Sequence, residues 1–195
     1  IPLKHIVTAA HYNGKIPRNP FAMYHVDPDH KEREFLTLDE LTAMTEIKLE
    51  DPNMAFARDL FIFGCWTGIS FIDIKNLTED NISMINGAPW IVSKRQKTGV
   101  PFQIKLMDIP MQIIGRYKAF RKGSHLFNIG NLDSINKRIK KVAAMCGIKK
   151  RVSFHVSRHS WAVLALEYGM PIESVSKILG HTNITTTQIY AKVTS

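Results

Sequence analysis

The spacing of apolar residues changes twice along this chain. From residue 35 to about 76 they recur every three or four positions, as on one face of a helix. From 79 to 106 they fall in short β-branched and aromatic runs, and from 108 onward helical spacing returns. The first helix of that series has a start signal. In "TLDEL" (37–41), Thr37 can accept the Glu40 N–H while Glu40 reaches back, a capping box that opens a helix to about Lys48. Asp51 and Pro52 open a second helix through "MAFARDLFIFGCW" (54–66). It is apolar on nearly every side, which predicts a central, buried helix. Gly68 ends it, and a short helical piece covers about 70–76. "NISMI", "PWIVSK" and "PFQIKL" are separated by "NGAP" (86–89) and "KTGVP" (97–101), which predicts antiparallel strands with two tight turns. Helices are predicted again over 108–120, 133–146, 156–168, 171–179 and 183–191. The fold class is therefore α+β: mainly α-helical, with a small three-stranded antiparallel sheet.

The amino-terminal part reads differently. Residues 1–16 look like the tail of a helix, broken by "NGKIPRNPF" (13–21), where Gly14, Pro17 and Pro20 interrupt regular structure. "YHVDPDHKEREFL" (24–36) is polar and charged and resembles an inter-domain linker. The expected division is a remnant of a preceding domain over 1–23, a linker over 24–34, and a main domain over 35–195.

Charge narrows the partners. The 195 residues carry a formal net charge of +9, with a pI near 9.6, which points to a polyanion: nucleic acid or an acidic membrane surface. No apolar stretch approaches the roughly 18 residues a spanning helix needs, and "FIFGCW" (61–66) is far too short. The chain opens IPLKHIV, without Met and without a charged region ahead of an apolar one, so a fragment of a longer protein with no signal peptide is expected. Cys65 and Cys146 lie in apolar surroundings and read as free thiols, so a reducing, cytoplasmic compartment is the expectation.

Two segments carry candidate chemistry. In "HVSRHS" (155–160), His155, Arg158 and His159 sit at i, i+3 and i+4 and can share one face at a helix start, which suits a phosphate. A His155 helix cap beside a solvated Arg158, or a His155/His159 zinc pair, are the alternatives; the pair lacks a third ligand and an HExxH pattern. In "LGHTNITTTQIYAK" (179–192), Gly180 stops one helix, Thr182 or Asn183 can cap the next, and Tyr190 follows His181 by nine residues. Tyr190 is either a core aromatic or a nucleophile. A phenol has a pKa near 10 and becomes reactive only when cations stabilise its anion. Arg158, His155, His181 and a lysine can do so. Lys97, at the tip of the predicted hairpin "SKRQKTG" (93–99), is the candidate lysine. Lys94 and Arg95 beside it read as a solvated basic turn or simple phosphate contacts.

"TGISFIDIKNL", "KTG", "HVSRHS" and "LGHTNITTTQIY", in that order, resemble the catalytic domain of tyrosine recombinases, the phage integrase family, over residues 35 to 192. The resemblance implies that Tyr190 is the nucleophile that forms a 3′-phosphotyrosyl link and releases a 5′-hydroxyl. It implies that Arg158 binds the scissile phosphate, that His155 and His181 hold its oxygens and manage protons, and that Lys97 protonates the leaving oxygen. Asp73 matches an acidic position of structural character, and His159 reads as support beside these. It also implies double-stranded DNA as partner, a homotetramer on two duplexes formed from a chain monomeric in solution, accessory DNA-bending proteins in some members, no membrane and no cofactor. Residues 1–23 then read as the end of a core-binding domain.

One position departs from the pattern. The family motif places an arginine after "TGI", and this chain has Ser70, which cannot supply a bidentate cation. Some mobile-element integrases resemble it in this. Arg58, on an otherwise apolar helical stripe, needs a buried anion, and either the scissile phosphate or Asp73 is expected to provide it. The function expected is a site-specific recombinase, an integrase of a mobile element. Its rivals are a DNA-binding regulator without catalysis, a type IB topoisomerase-like enzyme, and a helical module in which these residues are incidental.

Overall fold

A computed structural model describes residues 2–24 and 33–192 of the chain. Its Cα packing divides into two units, Ile1–Glu32 and Arg33–Ser195. Most of the expected linker, and residues 193–195, lie outside the described residues.

The first unit holds α1 (Pro2–Tyr12) and the turns that follow it. Asn19 Nδ2 donates to Thr8 Oγ1 at 3.2 Å, folding the Pro-rich stretch back on the helix. The helix ends where Gly14 enters the left-handed region, with φ of 68°.

In the second unit α2 (Leu38–Glu46) leads to α3 (Pro52–Thr67) and α4 (Phe71–Lys75). The capping box at Thr37 forms: Thr37 N–H donates to Glu40 Oε2 at 2.8 Å, and the Glu40 N–H donates to Thr37 Oγ1 at 3.3 Å. Helix α3 is the central helix that its pattern predicts. Every residue from Ala57 to Cys65 is buried. The strands β1 (Ile82–Ile85), β2 (Ala88–Lys94) and β3 (Pro101–Lys105) form an antiparallel sheet in the order β1-β2-β3, with Ile91 opposite Ile104. Then come α5 (Asp108–Arg116), α6 (Leu132–Met145), α7 (Phe154–Glu167), α8 (Ile172–Leu179) and α9 (Thr185–Ala191). The mainly helical α+β class with one small antiparallel sheet is the observed one. None of the described helices is long and apolar enough to cross a membrane.

Helices α5, α6 and α7 surround α3, and α7 comes closest. A Cβ on Gly64 would sit 2.5 Å from Ser157 Oγ, so only glycine permits that approach. Tyr117 closes α5 earlier than its pattern suggests, leaving a 3-10 turn over Lys118–Phe120. The cause is its side chain, which turns inward to stack edge-on against Phe56 and to donate to Asp59 Oδ2 at 2.8 Å. A second, smaller apolar cluster joins Trp161 and Val163 of α7 to Val175 and Leu179 of α8 and Tyr190 of α9, with Phe35 packed against it. That cluster fixes the three helices that bear the candidate chemistry.

Candidate active site

One open cavity, of about 480 Å³, collects side chains from six parts of the chain. Its lining includes Ser70, the N-cap of α4, and Asp73 of that helix, Arg95 and Lys97 of the β2–β3 loop, His155 and Arg158 of α7, His181 of the α8–α9 turn, and Tyr190 of α9. It also includes Arg33, which precedes α2.

Arg158 leaves the first turns of α7 and donates through Nη1 to the Gly68 carbonyl at 2.9 Å and through Nη2 to the Leu179 carbonyl. Both of its anchors are backbone oxygens, so among the described residues its charge has no carboxylate of its own. Burial, then the neighbouring Arg95 charge, pushes its pKa down to about 10. A buried guanidinium in that state favours an incoming anion. His155 lies in the first turn of α7 rather than capping it. The Phe154 N–H finds its acceptor in Asn136 Oδ1 at 2.7 Å instead. Partial burial and the charges of Arg158 and Arg33 lower the His155 pKa. His181 meets Thr187 Oγ1 through Nδ1 at 2.9 Å, and burial together with Arg158, Arg33 and Arg95 pushes its pKa down to about 4.

Tyr190 is 3% exposed, yet it lines the cavity. His159 Nδ1 lies 2.6 Å from that oxygen, and Arg33 Nη1 donates to it at 3.2 Å. His159 is thus spent on Tyr190. Its ring stacks edge-on with that of His155 at 4.3 Å, and among the described residues no group of three His, Cys, Asp or Glu could hold a metal ion. Lys97 is exposed in the β2–β3 loop at the cavity's edge, and Lys94 is exposed at the end of β2.

Two arginines are not where the sequence places them. Arg58 lies outside the cavity. Its Nε donates to Asp59 Oδ1 at 2.5 Å, and its Nη1 donates to the carbonyls of Met44, Thr45 and Ile47, tying α3 to the end of α2. The buried anion it requires is therefore its own neighbour, not Asp73 and not a phosphate. Adjacent helical residues do not ordinarily face each other, which is why the sequence hides this pair. Asp59 also takes Arg116 at 2.5 Å.

Arg95 is the reverse case. Far from a solvated turn, it is 5% exposed and stacks its guanidinium 4.0 Å over the Phe102 ring. Nη1 donates to Asp73 Oδ2 at 3.0 Å, Nη2 donates to the Ile178 carbonyl, and among the described residues Nε has no acceptor. Ser70 Oγ donates to the same Asp73 oxygen at 2.7 Å. Arg95 and Ser70 thus share one carboxylate, and a guanidinium stands beside the position where the family motif has one. The other oxygen, Asp73 Oδ1, accepts the Gln96 N–H at 2.8 Å and so anchors the loop that carries Lys97. Gly180 makes room for this: a Cβ there would lie 2.9 Å from Arg95 Cγ. Nothing local in "SKRQK" signals that one of its three cations turns inward; Phe102, opposite Ser93 on β3, is the side chain that receives it.

A sequence model of the phage integrase family matches residues 34–195, which include all of these cavity side chains except Arg33. The chain belongs to the phage integrase family. Among curated members of the family, a tyrosine recombinase XerC of Natranaerobius thermophilus is 47% identical over 180 residues, covering 85% of this chain and 60% of that protein. A XerC of Neisseria meningitidis is 27% identical over 164 residues, covering 78% of this chain and 54% of that one. The chain thus spans between half and two thirds of the length of these relatives. Among solved integrase-family structures, a lambda integrase dimer bound to a core site matches with a TM-score of 0.77 at 19% identity, covering 96% of this chain and 69% of that one. The Tn1549 transposon integrase in complex with circular intermediate DNA matches with a TM-score of 0.76 at 20% identity, covering 96% and 71%. The XerH recombinase in a post-cleavage complex with its difH substrate matches at 0.72 and 19%, covering 85% and 51%. These likenesses establish the integrase catalytic fold for the chain.

Proposed function

We propose that this chain is the catalytic part of a site-specific DNA recombinase, an integrase that cleaves and rejoins strands through a 3′-phosphotyrosyl intermediate. One observation carries the reading: Tyr190, one buried and one half-buried guanidinium, two histidines and a lysine line a single open cavity although they come from separate elements. Tyr190 Oη attacks the scissile phosphorus. The bond from phosphorus to the 5′-oxygen breaks, and Lys97 gives that oxygen a proton. Arg158 and Arg95 hold the non-bridging oxygens as their charge grows, with His155 and His181 beside them. Arg95 does the work of the arginine absent at Ser70. The phosphotyrosyl keeps the energy of the diester, so a second 5′-hydroxyl can reverse the step without an external energy source.

Double-stranded DNA is the proposed partner, and the net charge of +9 favours it. A homotetramer on two duplexes, with accessory DNA-bending proteins, is the proposed working assembly, and residues 1–23 are proposed as the end of a core-binding domain. The test is a covalent adduct. The full-length protein is incubated with nicked duplexes carrying its element's ends, and products are resolved on a denaturing gel and mapped by mass spectrometry. An adduct on Tyr190, lost in Tyr190→Phe, is expected. DNA binding without any adduct overturns the reading in favour of a regulator, whereas an adduct with plasmid relaxation and no strand exchange favours a topoisomerase.

A further inference from the structure

The Tyr190 hydroxyl makes two hydrogen bonds among the described residues, and they differ in kind. Arg33 Nη1 is a donor to it at 3.2 Å, and the guanidinium carbon lies 5.8 Å from the ring centroid. A phenol oxygen that receives that N–H has its own proton left to donate. In the tautomer that leaves His159 Nδ1 unprotonated, that nitrogen, at 2.6 Å, is the acceptor for this proton. The imidazole is able to receive it: it is neutral at pH 7, because burial, then His155, Arg33, Arg158 and His181, push its pKa down to about 3. Neither partner is loosely placed. His159 is 6% exposed on α7. Arg33 is delivered by a short strap that docks on the same helix: Leu36 is fully buried, its N–H donates to Ser160 Oγ at 2.8 Å, and Phe35 packs against the cluster that contains Tyr190.

We infer that Arg33 and His159 activate the Tyr190 hydroxyl from its two sides, His159 as the group that takes its proton and Arg33 as the cation that holds the developing phenolate. The inference rests on the recombinase reading and adds the groups that make its nucleophile reactive. The step balances. The O–H bond of Tyr190 breaks and its proton passes to His159 Nδ1. The oxygen–phosphorus bond forms, the bond to the 5′-oxygen breaks, and that oxygen takes the Lys97 proton. In the resting site burial, and after it the surrounding charges, keep His159 a weak base. The charge of the scissile phosphate offsets those cations when DNA binds, so the imidazole gains basicity when a proton has to move. The other histidines are placed for other work. His181 Nδ1 is bonded to Thr187, and His155 meets the edge of His159 rather than the phenol.

The test is single-turnover cleavage of a nicked duplex by the full-length protein, with two leaving groups: the natural 5′-oxygen, and a 5′-bridging sulfur that leaves without needing a proton. Asparagine at 159 retains an acceptor near the place of Nδ1 but cannot take a proton. His159→Asn is expected to slow adduct formation by about 10²–10⁴-fold, equally for both leaving groups. Lys97→Ala, the control, is expected to be slow on oxygen and restored on sulfur. Arg33→Gln, at an exposed position, is expected to lose about 10-fold or more, with Arg33→Lys recovering most of it because the charge remains. Thermal melting and DNA affinity close to wild type exclude a folding cause. His159→Asn within threefold of wild type, or restored by sulfur, overturns the assignment of His159; Arg33→Gln at the wild-type rate overturns that of Arg33. In each case the wild-type protein still forms its Tyr190 adduct. Absence of that adduct instead removes the recombinase reading, and this inference with it.

Discussion

Arg95 and Arg158 stand in one pocket, and two guanidiniums so largely removed from water repel each other unless an anion answers them. Asp73 answers one. On the proposed reading, the scissile phosphate answers the second. Arg95→Ala is therefore expected to reduce single-turnover cleavage by about 10²–10³-fold, the usual loss for one donor to a developing oxyanion. Because Ser70 and Arg95 bond the same Asp73 oxygen, an arginine at 70 can reach the place Arg95 vacates. Ser70→Arg should accordingly restore cleavage to the Arg95→Ala protein; no recovery in the double variant would show that the two positions are not interchangeable. Arg58→Ala is expected to act on stability instead, leaving Asp59 partly unpaired and lowering unfolding free energy by about 3 kcal/mol, with little change in cleavage per folded molecule. Denaturant melts and adduct assays on the same preparation separate the two outcomes.

Among the elements, the turn joining α8 to α9 is constrained by the side chain it shelters. Gly180 has φ of 65°, and its missing Cβ leaves the space that Arg95 fills. Gly180→Ala should cost about 1–2 kcal/mol from the backbone alone and, by moving Arg95, depress cleavage more than a purely structural lesion of that size. Unchanged cleavage kinetics in a folded Gly180→Ala protein would show that Arg95 is not held by this turn. Most elements are legible in the sequence because their signals are local. The capping box at Thr37, the all-round apolar face of α3 and the three β-branched runs need only their own residues to declare themselves. The match to H-x-x-R-H and L-G-H…Y likewise brings Arg158, His155, His181 and Tyr190 together by motif. What fails is what depends on distant partners. Tyr117 breaks α5 because Phe56 and Asp59 receive it, Arg95 turns inward because Phe102 and Asp73 do, and Arg33 reaches Tyr190 because Leu36 is bonded to α7.

At the scale of the molecule, burial of neutral histidines makes stability depend on pH. His159 and His181 titrate near 6.5 when unfolded and near 3 and 4 when folded. Above pH 6.5 both states hold them neutral and nothing is lost. Between 6.5 and the folded values the unfolded chain binds protons that the folded chain refuses, so stability falls as pH falls. After discounting the partial exposure of His181, the loss from pH 7 to pH 4 is on the order of 3 kcal/mol. Urea melts across that range should show it, and His159→Asn should flatten the slope; stability that rises toward pH 4 contradicts the sign. The net charge has its own signature. DNA affinity should fall linearly in log salt, and Lys94→Ala should reduce the slope by about 1 without changing sequence preference.

The carboxylate of Asp73 accepts Ser70 and Arg95 at one oxygen and the Gln96 backbone at the other, from two separate segments of chain. A charge held by such an acceptor is defined by its place in space rather than by its place in the chain. An arginine can then change address over evolutionary time without the pocket ever being empty, provided the newcomer at 95 is installed before the resident at 70 is lost. On the proposed reading, a search for active enzymes keyed to the "TGxR" motif would pass over this chain, whose guanidinium comes from position 95 instead.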